Sequence, residues 1–191
     1  MNSNPVDIFK VEDDYSQTYF ITDELSRGGQ GVVYRTRDDE ILIKIALKDG
    51  KLVSDPSGNA EYKRLKRLPV DPETHITLPL AVLKNYEGYV MRMLGGMETF
   101  REHFEVIRQS NELKSTAWID KTDQWKDTFA NFYSTGGSKR RLEAFLKSGS
   151  LLWQLHCRGL VYCDFSGNNA FISKNHQFCN VWLIDADNYE F

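Results

Sequence analysis

Residues Leu160 to Ile172 read Leu-Val-Tyr-Cys-Asp-Phe-Ser-Gly-Asn-Asn-Ala-Phe-Ile. In this stretch an acid, Asp164, is followed five positions later by an amide, Asn169, and then by an apolar run typical of a strand. After a polar turn, a second apolar run ends in another acid, Asp185. Asp and Asn are frequent in ordinary turns for backbone reasons, so this order of groups needs support from the rest of the chain.

Acid, amide and acid in this order are what phosphoryl transfer from a nucleotide requires. Because the transferred phosphoryl group passes through a loose transition state, a protein mainly has to orient a hydroxyl with one carboxylate and hold magnesium with an amide and a second carboxylate. Asp164 is the candidate for the hydroxyl, and Asn169 and Asp185 are the candidates for the metal.

The composition is typical of a soluble globular protein, with 191 residues, 41% apolar and 27% charged, and a formal charge of −3. No basic excess indicates nucleic-acid binding, and no segment approaches the ~20 apolar residues of a membrane span. The N-terminus lacks the basic head and apolar core of a secretory signal. Three cysteines without paired spacing favour a reducing compartment. We therefore expect a cytoplasmic protein, with delivery into a host cell left open.

A glycine-rich turn, Ser26-Arg-Gly28-Gly29-Gln-Gly31, lies between two runs of strand-forming residues and predicts a hairpin. A dinucleotide-binding loop or a Walker loop would be followed by a helix, whereas a strand follows here. The remaining phosphate-binding option is a glycine-rich hairpin that covers the phosphates, in which Val33 follows the last glycine by two positions. A plain flexible loop is the alternative.

A lysine, Lys44, lies inside the apolar run Ile41 to Leu47, and burying an unpaired ammonium is costly. A helical pattern follows, in which Glu61, Leu65 and Leu68 share one face. We therefore predict an ion pair between Lys44 and Glu61, with two separate surface charges as the alternative.

Further strands are predicted over residues 75–83 and 89–94, which gives a five-stranded antiparallel sheet with one helix and an α+β fold. Gly95-Gly96 is a natural hinge. We predict an N-terminal extension with little structure (1–17), a sheet-containing lobe (18–94) and a mainly helical lobe (95–191). In the helical lobe, one predicted helix has an apolar face that we expect to pack in the core, and its residues are Leu142, Phe145, Leu146, Leu152 and Trp153. Gly159 is predicted to cap the C-terminal end of this helix.

With these groups in this order, the chain resembles the protein kinase fold, and most of all the bacterial eukaryotic-like Ser/Thr kinases. The catalytic-loop motif is matched by Asp164 to Asn169, and the metal motif by Ile184-Asp-Ala-Asp-Asn188. The resemblance covers roughly residues 19–191 and implies a Mg-ATP-dependent kinase that phosphorylates protein Ser or Thr.

The resemblance assigns the remaining roles. Lys44, held by Glu61, would bind the α- and β-phosphates, and Asp164 would be the base or the hydroxyl-orienting group. The hairpin glycines Gly28, Gly29 and Gly31 would cover the nucleotide. Met91 would guard the adenine pocket, and the backbone of Arg92, Met93 and Leu94 would hydrogen-bond the base. The apolar walls of the pocket would come from Leu25, Val33, Leu42 and a residue near Phe171.

Several positions depart from the family pattern. Ser26 replaces the first glycine, Tyr162-Cys163 precedes the catalytic acid where His-Arg is usual, Ser166 replaces a lysine, and Ala186-Asp187 replaces Phe-Gly. These departures keep two alternatives open, a pseudokinase that binds nucleotide or partners only, and a small-molecule kinase of the aminoglycoside or choline type.

The sequence ends at Phe191, six residues after Asp185. We therefore expect a kinase without an activation segment or lower helical lobe, either naturally minimal or truncated. The helix from Leu142 to Trp153 would then leave an apolar patch of several hundred Å², a size that usually marks an interface. A second protein or a second copy of the chain is predicted to cover it.

Overall fold

In the computed structural model, the described residues are 9–68, 70–71, 74–104, 132–185 and 189–190. The chain forms two compact units. The first unit contains the described residues up to 71, residues 77–95 and Asp185. The second contains residues 74–76, the described residues from Gly96 to Ile184, and residues 189–190.

An antiparallel sheet dominates the first unit and has seven strands among the described residues. In spatial order they run β1-β2-β3-β4-β7-β6, and β5 pairs with β4 off this path. The strands are β1 (Lys10–Glu12), β2 (Thr18–Arg27), β3 (Gly31–Thr36), β4 (Ile41–Lys48), β5 (Lys51–Leu52), β6 (Ala81–Val82) and β7 (Gly88–Arg92).

Strand β4 lies in the middle of this sheet and is buried on both faces. Ile43 and Ile45 point to one face, where a core cluster includes Val32, Tyr34 and Val90. Leu42 and Lys44 point to the other face, because side chains alternate along a strand. A lysine is therefore placed among apolar strand residues, as the sequence predicted.

The sheet differs from the prediction in two respects. Five strands were expected, and β1 and β5 are added to them. The expectation that residues 1–17 have little structure is wrong for residues 10–17, because β1 pairs with β2. The carboxylate of buried Asp13 accepts hydrogen bonds from the amides of Tyr15 and Gln17 and from the Tyr19 hydroxyl.

Helix α1 (Asn59–Lys66) follows a short 3₁₀ turn. Its first residue, Asn59, is buried, donates to the carbonyls of Leu83 and Tyr86, and accepts from the amide of Gly88. This one side chain therefore fastens the start of the helix to the β6–β7 hairpin.

The predicted core-facing position of Glu61 is wrong. The buried residues of α1 are Asn59, Tyr62 and Leu65. Glu61 lies on the exposed side, where its half-exposed carboxylate is 3.6 Å from Arg64. The physical reason is that Tyr62 buries more apolar surface than the Glu61 stem, so it turns the neighbouring acid outward.

The second unit contains a three-stranded sheet, a two-stranded ladder and a long helix among its described residues. The sheet runs in the order β11-β10-β8 and the ladder pairs β12 with β9. The elements are β8 (Met97–Thr99), α2 (Phe100–Phe104), α3 (Gly137–His156), β9 (Val161–Tyr162), β10 (Ala170–Ser173), β11 (Val181–Leu183) and β12 (Tyr189–Glu190). Residues 105–131 of the predicted helical lobe lie outside the described residues.

Helix α3 ends as predicted. Gly159 has a positive φ of 75°, and the amide of Leu160 donates to the carbonyl of Leu155. The prediction for its apolar face is wrong for most members, however. Leu142, Phe145, Leu146 and Trp153 are exposed, and the buried face of the helix is formed by Arg140, Ala144, Ser148, Leu151 and Leu155.

A buried arginine organises the inner side of α3. Arg140 donates from Nε to Nε2 of His103, at 3.1 Å, and from its two terminal nitrogens to the carbonyls of Phe178 and Ser173. Because an arginine only donates, His103 must accept at Nε2 and carry its proton on Nδ1, 2.5 Å from the Glu98 carboxylate. This network joins α3 to α2, β8 and the β10–β11 turn.

Among the helices in the part of the chain that the structure describes, none is long and apolar enough to cross a membrane.

Candidate functional site

The glycine-rich hairpin joins β2 to β3 as predicted. The amide of Gly28 donates to the carbonyl of Gly31 at 2.9 Å and closes the turn. Gly31 lies opposite Ala46 on β4. A Cβ at Gly31 would come within 2.9 Å of the Ile45 carbonyl oxygen and 3.3 Å of Lys44 Cε, whereas one at Gly29 would meet nothing within 4 Å. The hairpin therefore requires a glycine at position 31 for its close approach to β4 and Lys44.

Lys44 is 7% exposed, and its ammonium forms an ion pair with Oδ1 of Asp185. The Tyr89 hydroxyl also donates to Oδ1 of Asp185, at 3.4 Å, and the Tyr89 ring lies 6.0 Å from Lys44 Nζ. All three residues belong to the first unit. Among the described residues, the carboxylate that pairs with Lys44 is therefore Asp185 and not the predicted Glu61.

Apolar residues surround Lys44 on its face of the sheet. Val33 lies opposite Lys44 on β3, and Leu42 lies two positions along β4 and opposite Met91 on β7. Leu42 and Met91 are buried, Val33 is half-buried, and Leu25 on β2 is exposed. The structure thus places three of the four predicted pocket side chains on one face with the lysine.

Backbone contacts to a base were predicted for the segment at the end of β7. The amide of Met93 donates to the carbonyl of Glu40 at 2.7 Å, and Met93 Sδ lies 3.6 Å from an Arg35 nitrogen. Met93 is thereby held in place, and its amide is engaged. Arg92 and Leu94 are therefore the better backbone candidates for such contacts.

The predicted catalytic-loop residues Asp164 and Asn169 lie in the loop between β9 and β10, in the second unit. Asn169 donates from Nδ2 to Oδ2 of Asp164 at 2.8 Å and to the Asp164 carbonyl at 3.1 Å. The loop is fastened by the Gly167 carbonyl, which accepts from the amide of Arg101, and by the Asn169 carbonyl, which accepts from the amide of Ile184. Asp164 is exposed and so accessible to a substrate hydroxyl.

Each unit separately offers a side-chain oxygen of the kind that magnesium prefers as a ligand. Since Nδ2 of Asn169 is directed to Asp164, its amide oxygen is the atom left for a metal. In Asp185 the contacts of Lys44 and Tyr89 are both to Oδ1, so Oδ2 is the candidate ligand.

Sequence reasoning missed Tyr89, which lies opposite Lys44 in the β4–β7 register. The sequence placed Tyr89 in a predicted strand. It did not show which residue of another strand lies opposite Tyr89, because the pairing register of distant strands cannot be read from a local pattern. It also missed the Asn59 anchor and the Arg140 network, since both depend on contacts between residues far apart in sequence.

Comparisons with known proteins give the fold alone. No family model matches the sequence, and no curated protein matches it. Solved structures do match. A structure of vaccinia-related kinase 3 superposes with a TM-score of 0.54 and 15% identity, covering 99% of this chain and 53% of that one. The BubR1 kinase domain superposes with a TM-score of 0.58 and 11% identity, covering 99% of this chain and 52% of that one.

The chain therefore has a protein kinase-like fold, with an antiparallel sheet and few helices. It spans about half the length of these two kinase structures. At these identities the likeness carries no activity or substrate to this chain.

Proposed function

We propose that this chain binds ATP with magnesium and transfers the γ-phosphate to a Ser or Thr hydroxyl of a protein. The single observation behind the proposal is the buried Lys44, paired with the Asp185 carboxylate and approached by Gly31 of the glycine hairpin. A buried ammonium next to a hairpin of this kind is a ready site for a phosphate chain, since a cation held in a low-dielectric setting binds anionic oxygens strongly.

The remaining proposed roles concern contacts to the nucleotide and to magnesium. Lys44 binds the α- and β-phosphates, and the hairpin around Gly28, Gly29 and Gly31 covers them. The side chains of Leu25, Val33, Leu42 and Met91 contact the base, and the backbone of Arg92 and Leu94 bonds to its edge. Magnesium, when bound, neutralises charge on the phosphates and would be ligated by Asp185 and Asn169.

Asp164 is proposed to orient the substrate hydroxyl and accept its proton. The hydrogen bond from Asn169 fixes the Asp164 carboxylate, at 2.8 Å, without removing its exposure. A base must be held in place and still reach the proton that it accepts, and this arrangement satisfies both requirements. Glu61 has no catalytic role in this proposal, because its carboxylate is paired with Arg64 on the surface.

The test is transfer of labelled phosphate from ATP to a generic basic protein in the presence of magnesium. Wild-type protein should label the substrate, and Asp164→Ala should reduce the rate at least about 100-fold, the order expected for loss of a general base. The matched control is Glu61→Ala, which also removes an exposed carboxylate but lies outside the proposed site, and it should retain the wild-type rate. Equal labelling by wild-type protein and Asp164→Ala overturns the proposal.

A second candidate is a pseudokinase, a module that binds nucleotide without turnover. The observation that favours it is the pairing of Lys44 with Asp185, the acid assigned to the metal, while Glu61 lies at the surface. A thermal shift with ATP and no detectable phosphate transfer selects this candidate. No thermal shift with any nucleotide excludes both.

A further inference from the structure

Helix α3 carries its large apolar side chains on the face opposite to its buried one. The inner face is buried and mixed in character, with Arg140 and Ser148 beside Ala144, Leu151 and Leu155. On its outer face the side chains of four large apolar residues are mostly exposed: Leu142 at 62%, Phe145 at 76%, Leu146 at 68% and Trp153 at 67%. Large apolar side chains that are exposed together usually mark an interaction site, so the outer face calls for a covering surface.

The four side chains form one stripe along the helix. Their positions, with Gly149 between them, are spaced i, i+3, i+4, i+7 and i+11, which places all five on one side of an α-helix. The stripe includes no charged residue, so covering it removes no charge from water. A Cβ added at Gly149 would meet nothing within 4 Å, so this position is a gap in the stripe where another helix can approach closely.

The area matches a dimer of modest size. Leu, Phe, Leu and Trp at these exposures present on the order of 500 Å² of apolar surface, at the upper end of what single proteins leave uncovered. Two such stripes face to face bury roughly 1,000 Å², close to the lower limit for a specific interface.

We propose that the outer face of α3 is a two-fold interface with the same face of a second copy of this chain. The two helices run antiparallel and cross near Gly149. This direction opposes the two helix dipoles favourably, and it sets Trp153 of each copy beside Phe145 of the other instead of against a second indole. The proposal is independent of the nucleotide chemistry proposed above.

The first experiment measures mass by sedimentation equilibrium from 2 to 200 µM. Wild-type protein should be dimeric at the upper end, and Phe145→Glu should weaken association at least tenfold. The helical circular dichroism signal of the variant should be unchanged, because a side chain this exposed makes few contacts within its own chain. The matched control is Phe178→Glu, since Phe178 is exposed to 57% but lies in the β10–β11 turn and outside the stripe.

A wild-type protein that stays monomeric at 200 µM overturns the proposal, as does a Phe145→Glu protein that remains a dimer. Equal weakening by Phe178→Glu also overturns it. A monomer that binds an apolar dye, with binding lost in Phe145→Glu, assigns the face to a different partner and rejects self-association.

The second experiment tests direction. In a background with Cys157 and Cys163 changed to serine, Gly149→Cys should form an intermolecular disulfide under mild oxidation. Ser138→Cys, near the start of the same helix, should not, because antiparallel helices that cross at Gly149 hold the two copies of position 138 roughly 30 Å apart. The reverse pattern overturns the antiparallel arrangement.

Discussion

Lys44 and Asp185 form the ion pair on which the proposed phosphate site depends. The positive φ of 77° at Asp185, a conformation that Asp tolerates better than most residues, directs this short side chain back to the sheet. Glu61, the acid expected at this place, lies on the surface of α1 beside Arg64. Asp185 therefore lies at the proposed nucleotide site and Glu61 does not. Nucleotide binding should depend on the ion pair of Lys44 with Asp185 and not on Glu61.

Because Lys44 pairs with Asp185 and not with Glu61, single variants of Lys44 and Glu61 should behave differently. Glu61→Ala should change the free energy of unfolding by less than about 0.5 kcal/mol, since an exposed ion pair contributes little. It should also leave the thermal shift with ATP intact. Lys44→Met should abolish that shift, because the phosphate-binding cation is gone. Differential scanning fluorimetry with and without ATP measures both, and loss of the shift in Glu61→Ala would contradict the assignment.

Gly31 gives a second prediction for a single position. Gly31→Ala should destabilise the protein by about 1–3 kcal/mol, because the added Cβ comes within 2.9 Å of the Ile45 carbonyl oxygen. Gly29→Ala is the matched control from the same turn and should be close to neutral, since nothing lies within 4 Å. Urea denaturation of the two variants measures the difference, and equal stabilities would show that the β3–β4 approach is not constrained.

Helix α3 has one face that is held by buried hydrogen bonds and one face that is exposed to solvent. Its inner face is held by Arg140, which binds His103 and two carbonyls, and its outer face is exposed. Removing a donor from such a network leaves buried acceptors without partners, which costs far more than removing a surface charge.

We therefore predict that Arg140→Leu lowers the free energy of unfolding by about 3 kcal/mol. Arg158→Leu serves as the control, because Arg158 is exposed just beyond the same helix and its side chain donates to the Gln154 carbonyl alone among the described contacts. Chemical denaturation followed by circular dichroism measures both. A smaller effect of Arg140→Leu than of Arg158→Leu would reject the anchoring role.

For the whole molecule, the proposed chemistry needs groups from both compact units, Lys44 and Asp185 in one and Asp164 and Asn169 in the other. A ligand that binds only the native state raises its stability by mass action. The dependence of that stabilisation on magnesium therefore reports on the proposed metal ligands in the intact chain.

The corresponding prediction concerns Asn169. Wild-type protein should show a larger thermal shift with ATP and magnesium than with ATP and a chelator. Asn169→Ala should show the same thermal shift as wild type with ATP and a chelator, because Lys44 remains in place. It should lose the additional shift that magnesium causes, because a metal ligand has been removed. Ser166→Ala, in the same loop, is the control and should behave as wild type. An unchanged increment in Asn169→Ala would remove that residue from the metal site.

Local pattern in the sequence was sufficient to predict the strands β2, β3, β4 and β7, the glycine hairpin, the buried Lys44 and the Gly159 cap. Each of these depends on short-range periodicity or on the backbone preference of a single residue. The order of Lys44, Asp164, Asn169 and Asp185 along the chain also indicated the kinase-like fold.

Three features were settled by tertiary contacts alone: which acid meets Lys44, which face of α3 is buried, and the addition of a strand at residues 10–12. Helical periodicity shows that α3 has an apolar stripe but does not show whether that stripe is buried; the buried face proved to be the opposite one, which contains Arg140 and Ser148. Likewise, a buried lysine requires a carboxylate, but two acids were available. The choice between Glu61 and Asp185 depended on packing, because Tyr62 occupies the inner face of α1 and leaves Asp185 as the acid that reaches the sheet.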